Sequence, residues 1–205
     1  MTPSLHRLLC AALLLTGLNA MAIEEPKFTV LSKEGGVELR QYAPFLIAET
    51  VVEGDMDEAS NRGFRLIADF IFGNNQAADN SGSSAKIAMT APVTLEPQQD
   101  SVNMQTAKQW LVKFVMPSQY TLASIPKPKN NAVSLREIPS KHYVVLKYSG
   151  FNTQSKVQAK SMEASDWARK KNLKTIAAPQ LSRYDPPWTL PMLRRNEIMI
   201  EVAAP

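Results

Sequence analysis

The chain has almost no cysteine and little histidine. Its one cysteine, Cys10, and one of its two histidines, His6, both fall within the first 22 residues. From Ile23 onward there is no disulfide and no Cys/His set for a structural zinc. His142 is the one histidine left in that region to serve as a base or a ligand. There is no G-x-S-x-G elbow, so a serine nucleophile of that type is absent. No glycine-rich loop is present to cradle a phosphate. The net charge of +4 is dispersed, with no run of Lys and Arg, which argues against a nucleic-acid partner.

Long apolar runs are also missing. The longest, Leu8 to Leu18, falls short of the roughly 20 residues a membrane span needs. Arg7 precedes it, and Ala20-Met21-Ala22 follows as a small-x-small cleavage site. This order predicts a signal peptide over residues 1–22, cut after Ala22, and a periplasmic or secreted protein with no stable membrane span. Removing Arg7 leaves a charge of 22 − 19 = +3. Residues 23–205 are enough for one domain held by its core alone.

What is present reads as two halves of one plan. Val37-Glu38-Leu39-Arg40 and Val133-Ser134-Leu135-Arg136 both read V-x-L-R, at an offset of 133 − 37 = 96. The same offset carries Gly54 onto Gly150. In each half an apolar strand precedes the glycine (45–52 and 143–148) and a helical segment follows. Each half then closes on a strand, 110–116 and 197–202. The pattern predicts pseudo-repeats of a strand–strand–helix–strand unit over about 27–117 and 131–203. Strands outnumber helices and each helix follows strands, so the class is α+β with an antiparallel sheet.

The first helix is expected over about 56–72, with Asp55 as N-cap and Glu58 completing a capping box. Its apolar arc is wider than the roughly 100° stripe of a simple surface helix. Most of that arc belongs to the core, while Phe64, Ala68 and Ile71 form a flank that can face a ligand. The second helix, about 152–173, has a thin apolar face and solvated lysines. The tail Tyr184-Asp185-Pro186-Pro187-Trp188 reads as a stiff extended segment. The stretch KIAMTAPVTLE (86–96) alternates like a strand, with Ile87, Met89, Ala91, Val93 and Leu95 on one face. Pro92 cannot donate to a ladder and marks an edge or a break. Met89 offers a thioether, which is more often packing than a metal ligand. His142 is a weak candidate for a ligand, placed at a strand start.

KIAMTAPV, WLVKFVMPSQY and SRYDPPWTLPMLRRNEIMIEV closely resemble the SOUL heme-binding protein family. VELRQYAPFLIAET and DMDEASNRGFRLIADFI match it as well, so the resemblance runs from about Pro26 to the C-terminus. It implies a twisted, partly closed antiparallel sheet with two helices and two related halves. It also implies that heme or a related tetrapyrrole binds in an apolar groove beside the first helix, the protein acting as carrier or buffer rather than as an enzyme. On this chain the groove maps to Phe64, Ile67, Ala68 and Ile71, with Met89 as part of a wall and Arg62 and Arg65 near the propionates. Asp69 stands where some members have lysine, and Gln41 stands where some have a proposed histidine ligand. Burying about 400 Å² of porphyrin at about 25 cal/mol/Å² gives roughly 10 kcal/mol, against roughly 4 kcal/mol or more for immobilisation. Binding at roughly tens of micromolar follows without an iron bond, so metal-free porphyrin is expected to bind similarly. Two alternatives stand beside this reading. One is an enzyme on the same scaffold, a hydrolase or a tetrapyrrole-modifying activity. The other is a generic small-molecule or protein interaction module.

Overall fold

The computed structural model describes residues 23–78, 82–98, 104 and 106–205; the expected signal peptide lies outside them. Eleven strands and two helices follow in the order β1 (Phe28–Glu34), β2 (Val37–Tyr42), β3 (Phe45–Glu53), α1 (Met56–Ile71), β4 (Asn75–Gln76), β5 (Val93–Pro97), β6 (Gln109–Val115), β7 (Lys127–Pro128), β8 (Ser134–Ile138), β9 (Lys141–Tyr148), α2 (Gln154–Lys170), β10 (Gln180–Arg183) and β11 (Asn196–Val202). β4 and β7 form a small ribbon of their own. The other nine strands form one curled antiparallel sheet in the order β1-β2-β9-β11-β10-β5-β6-β3-β8.

Without β1, that order is unchanged when β2 and β8, β3 and β9, β5 and β10, and β6 and β11 exchange places and the sheet is read from the other edge. β5 meets β10 at the centre of the sheet. α1 lies over β3 and β6, and α2 lies over β9 and β11.

Both helices cover the same side of the sheet, and the main core lies between. Trp110, Val112, Phe114, Leu146, Leu181 and Ile198 supply its floor. α1 forms where the sequence predicts it. Asp55 accepts from the Glu58 backbone N–H at 2.9 Å, and the Glu58 carboxylate accepts from the Asp55 N–H at 3.3 Å. Gly63 brings the helix close to the sheet: a Cβ there would sit 2.5 Å from Val112 Cγ2. α2 is shorter than expected, starting at a Thr153 cap whose hydroxyl accepts from the Lys156 N–H. Its charged surface is as the sequence indicates.

KIAMTAPVTLE differs from a regular strand. β5 begins only at Val93, after a cis Ala91–Pro92 bond. Before it, Ile87 is buried, whereas Met89 is 36% exposed. The chain here follows α1, with the Ile87 N–H bonded to the Ile71 carbonyl, and no strand pleat fixes which way the side chains point.

Candidate functional site

α1 divides the residues expected to line a groove. Ile67 and Ile71 have essentially no exposed surface, because they face the sheet side of the helix, and Ala68 is nearly as buried. Phe64 is 41% exposed and rests on Phe114 with 5.5 Å between ring centroids. Arg62 donates to the Glu53 carbonyl at 3.1 Å. Arg65 is exposed and, among the described residues, has no ion-pair partner. Asp69 accepts from Asn74 at 2.6 Å, which ties the end of the helix to the following loop.

A second apolar surface was not apparent in the sequence. β10 ends on Arg183, whose guanidinium donates to Ser60 at 3.0 Å and Asp57 at 3.2 Å in the first turns of α1. Its Nε is buried and has no hydrogen-bond partner in the structure. The loop that leaves β10 at this point exposes Trp188, Leu190, Met192 and Leu193, Trp188 to 83%. Arg194 fastens the loop by donating to the Thr189 and Pro187 carbonyls, and the Gly150 N–H donates to Pro191. So many large apolar side chains exposed on one fastened loop are the signature of an interaction site.

Among the described residues, the other side of the sheet carries no helix. Tyr42, Tyr143, Val145 and Met199 make a small cluster there, with Phe45 against it. Beside it lies a cavity of about 230 Å³ whose wall also carries Lys113, Arg136, Lys141, Glu96 and Glu201. A buried charge network adjoins it. Arg40 donates to Glu197 and to the Tyr42 hydroxyl, both at 3.1 Å. The Tyr184 hydroxyl donates to Glu197 at 2.7 Å. Arg195 holds the other Glu197 oxygen and reaches Glu25. Burial, and then the charge of Glu197, push the Tyr42 phenol up to about 12. The same two causes raise Tyr184. Burial opposes the charge on Arg40, but Glu197 and the Tyr42 hydroxyl together outweigh it and hold the guanidinium firmly protonated.

His142 lies near the start of β9, an interior strand, and pairs with Gln41 on one side and Val202 on the other. It lies six residues before Tyr148, the end of β9 nearest the exposed loop, roughly 20 Å at about 3.4 Å per residue. Among the described residues no group of three His, Cys, Asp or Glu could hold a metal. No helix among them is long and apolar enough to cross a membrane.

The family described as SOUL heme-binding protein matches residues 23–201, nearly all of the described chain. The chain belongs to the SOUL heme-binding protein family. Membership supports binding of heme or a tetrapyrrole in general. The curated proteins contain no match to this SOUL protein. Among solved structures it is similar to the C-terminal domain of EcmrR, at 12% identity and a TM-score of 0.58, over 82% of this chain and 98% of that one. It is also similar to a hydrolase from Listeria innocua, at 11% identity and a TM-score of 0.54, over 84% of this chain and 94% of that one. At these identities the likeness is one of fold alone.

The SOUL protein's residues fit a tetrapyrrole in two respects. The exposed rings and aliphatic chains on α1 and the 185–195 loop suit a flat apolar macrocycle. Arg65 and the partly exposed guanidinium edge of Arg183 suit carboxylate side chains. Among the described residues at this surface the candidate iron ligands are the exposed sulfurs of Met89 and Met192, which are weak ones. The open-face cavity is too small, because pockets for drug-sized ligands start at about 300 Å³.

Proposed function

We propose that this protein binds heme or a related tetrapyrrole on the helix side of its sheet, between the Phe64 flank of α1 and the loop 185–195. One observation carries the reading: Phe64, Trp188, Leu190 and Met192 are large, apolar and exposed where Arg183 joins that loop to α1. The macrocycle lies against these side chains, and Arg65 and Arg183 take the propionates. Shape and apolar area hold the ligand, with no bond to iron required, so metal-free protoporphyrin binds within about tenfold of hemin. Ile67 and Ile71 support the flank from beneath, and Met89 borders it. Reversible binding of this kind suits a carrier or buffer. With the leader expected over residues 1–22, the periplasm is the compartment we propose.

The test is a hemin titration followed at the Soret band, repeated with Phe64→Asp and His142→Ala. Saturable binding by the wild type and by His142→Ala, weakened at least tenfold in Phe64→Asp, is the expected result. Absence of a saturable shift, or equal binding by Phe64→Asp, contradicts the site. Loss in His142→Ala instead assigns the iron to that histidine.

A further inference from the structure

The cavity on the open side of the sheet is separate from the proposed tetrapyrrole flank. The sheet itself divides them: on β6, Phe114 supports Phe64, whereas its neighbours Lys113 and Val115 line the cavity. Its wall combines an aromatic and thioether cluster with charged groups that keep donors in reserve. Lys113 Nζ donates to Glu96 at 2.5 Å and to Gln180 at 2.7 Å, which leaves one of its three N–H groups. Lys141 uses one N–H, on Glu201 at 2.7 Å. Arg136 binds Glu49 through Nε and Nη2, at 2.9 and 2.6 Å, and keeps Nη1. An incoming acceptor can therefore be met without breaking an ion pair. Each of the three cations is paired with one carboxylate, Glu96, Glu201 or Glu49, so what favours an anion here is the spare N–H donors rather than net charge.

We propose that this cavity is a second site, for a small aromatic carboxylate. The ring packs on Phe45, Tyr42 and Met199, and the carboxylate takes the spare donors of Lys113, Lys141 and Arg136. The limited volume admits one ring with a short side chain and excludes a tetrapyrrole. Pro26, in the segment that Glu25 anchors to Arg195, lies at the wall and limits the opening.

The experiment uses 3-phenylpropionate, phenethylamine and 3-phenylpropionamide as probes of one shape and different charge. Binding is read by calorimetry and by ¹H–¹⁵N chemical shifts. The carboxylate should bind at least tenfold tighter than either other probe. Lys113→Met combined with Glu96→Gln, which removes the ion pair as a unit, should weaken it about tenfold. Arg136→Gln, at the more exposed rim, should weaken it several-fold. Leu111→Trp, which fills the cavity from its own wall, should abolish it. Hemin binding should not change in Arg136→Gln, which separates failure here from failure of the tetrapyrrole reading. Equal or tighter binding of phenethylamine, no saturable binding of the carboxylate at millimolar concentration, or binding unchanged in both charge variants overturns the proposal.

Discussion

The two faces of the sheet are made from alternate residues of the same strands, yet they hold different physics. On β11, Ile198, Ile200 and Val202 enter the core under the helices. Alternating with them, Glu197, Met199 and Glu201 face the other way, and Glu197 is as fully buried as the isoleucines. The helix face is apolar and closely packed, down to the Gly63 contact with Val112. The open face buries charge and leaves a cavity. Alternation along a strand is usually read as core against water. Here it separates two enclosed environments, and the ligand surface of the helix face lies at its exposed margin rather than in its interior.

The comparison breaks most severely at Glu197. Glu197→Ala removes one of the two carboxylates that hold the buried Arg40, leaving Glu38, and also strands the Tyr184 hydroxyl, so a loss of about 3 kcal/mol is expected in denaturant unfolding. Alkaline pH should strike the same face. Tyr42 is raised to about 12 from an ordinary value near 10, so the folded state favours the neutral phenol. The stability this gives is complete below about pH 10 and is lost between about 10 and 12, an effect of roughly 2 to 3 kcal/mol. Tyrosinate absorbance and circular dichroism recorded together should change in one transition.

The helix face gives smaller and opposite tests. Gly63→Ala gains about 1 kcal/mol of helix propensity but forces a methyl into Val112, a cost of about 3 kcal/mol. Net destabilisation of about 2 kcal/mol follows, partly recovered by adding Val112→Ala. Asp55→Ala removes the cap of α1 and should cost about 1 kcal/mol. Phe64→Asp should cost under about 1 kcal/mol in stability, because the ring is already well exposed, while hemin binding is lost. A variant that binds poorly because it unfolds would fail this last distinction.

Much of this architecture is legible in the sequence. The capping box at Asp55 and Glu58, the strands around 45–53, 109–115 and 196–202, and the α+β class all follow from local chemistry. β10 is only four residues long and carries little periodic signal. β1 is exposed throughout, so no alternation announces it. The open-face cavity draws its wall from strands far apart in the chain, at positions such as Lys113, Arg136 and Glu201 that read as ordinary solvent-facing charges. The apolar arc of α1 is visible, but where it divides between Ile67 inside and Phe64 outside depends on how closely Gly63 brings the helix to the sheet. The tail after Tyr184 shows its apolar residues, yet only the fold shows that Trp188 is left uncovered. The symmetry of strand order is a fact of topology; descent of the halves from one unit remains a reading of the V-x-L-R and glycine spacing.

The central claim is that a tetrapyrrole rests on the helix side of the sheet and needs no iron ligand. Hydrogen exchange with and without saturating metal-free protoporphyrin tests it most directly. Protection confined to residues 60–72 and 184–195, with 111–115 and 136–143 unchanged, is the predicted result. Protection of the open-face strands instead, or of neither region, would contradict the account.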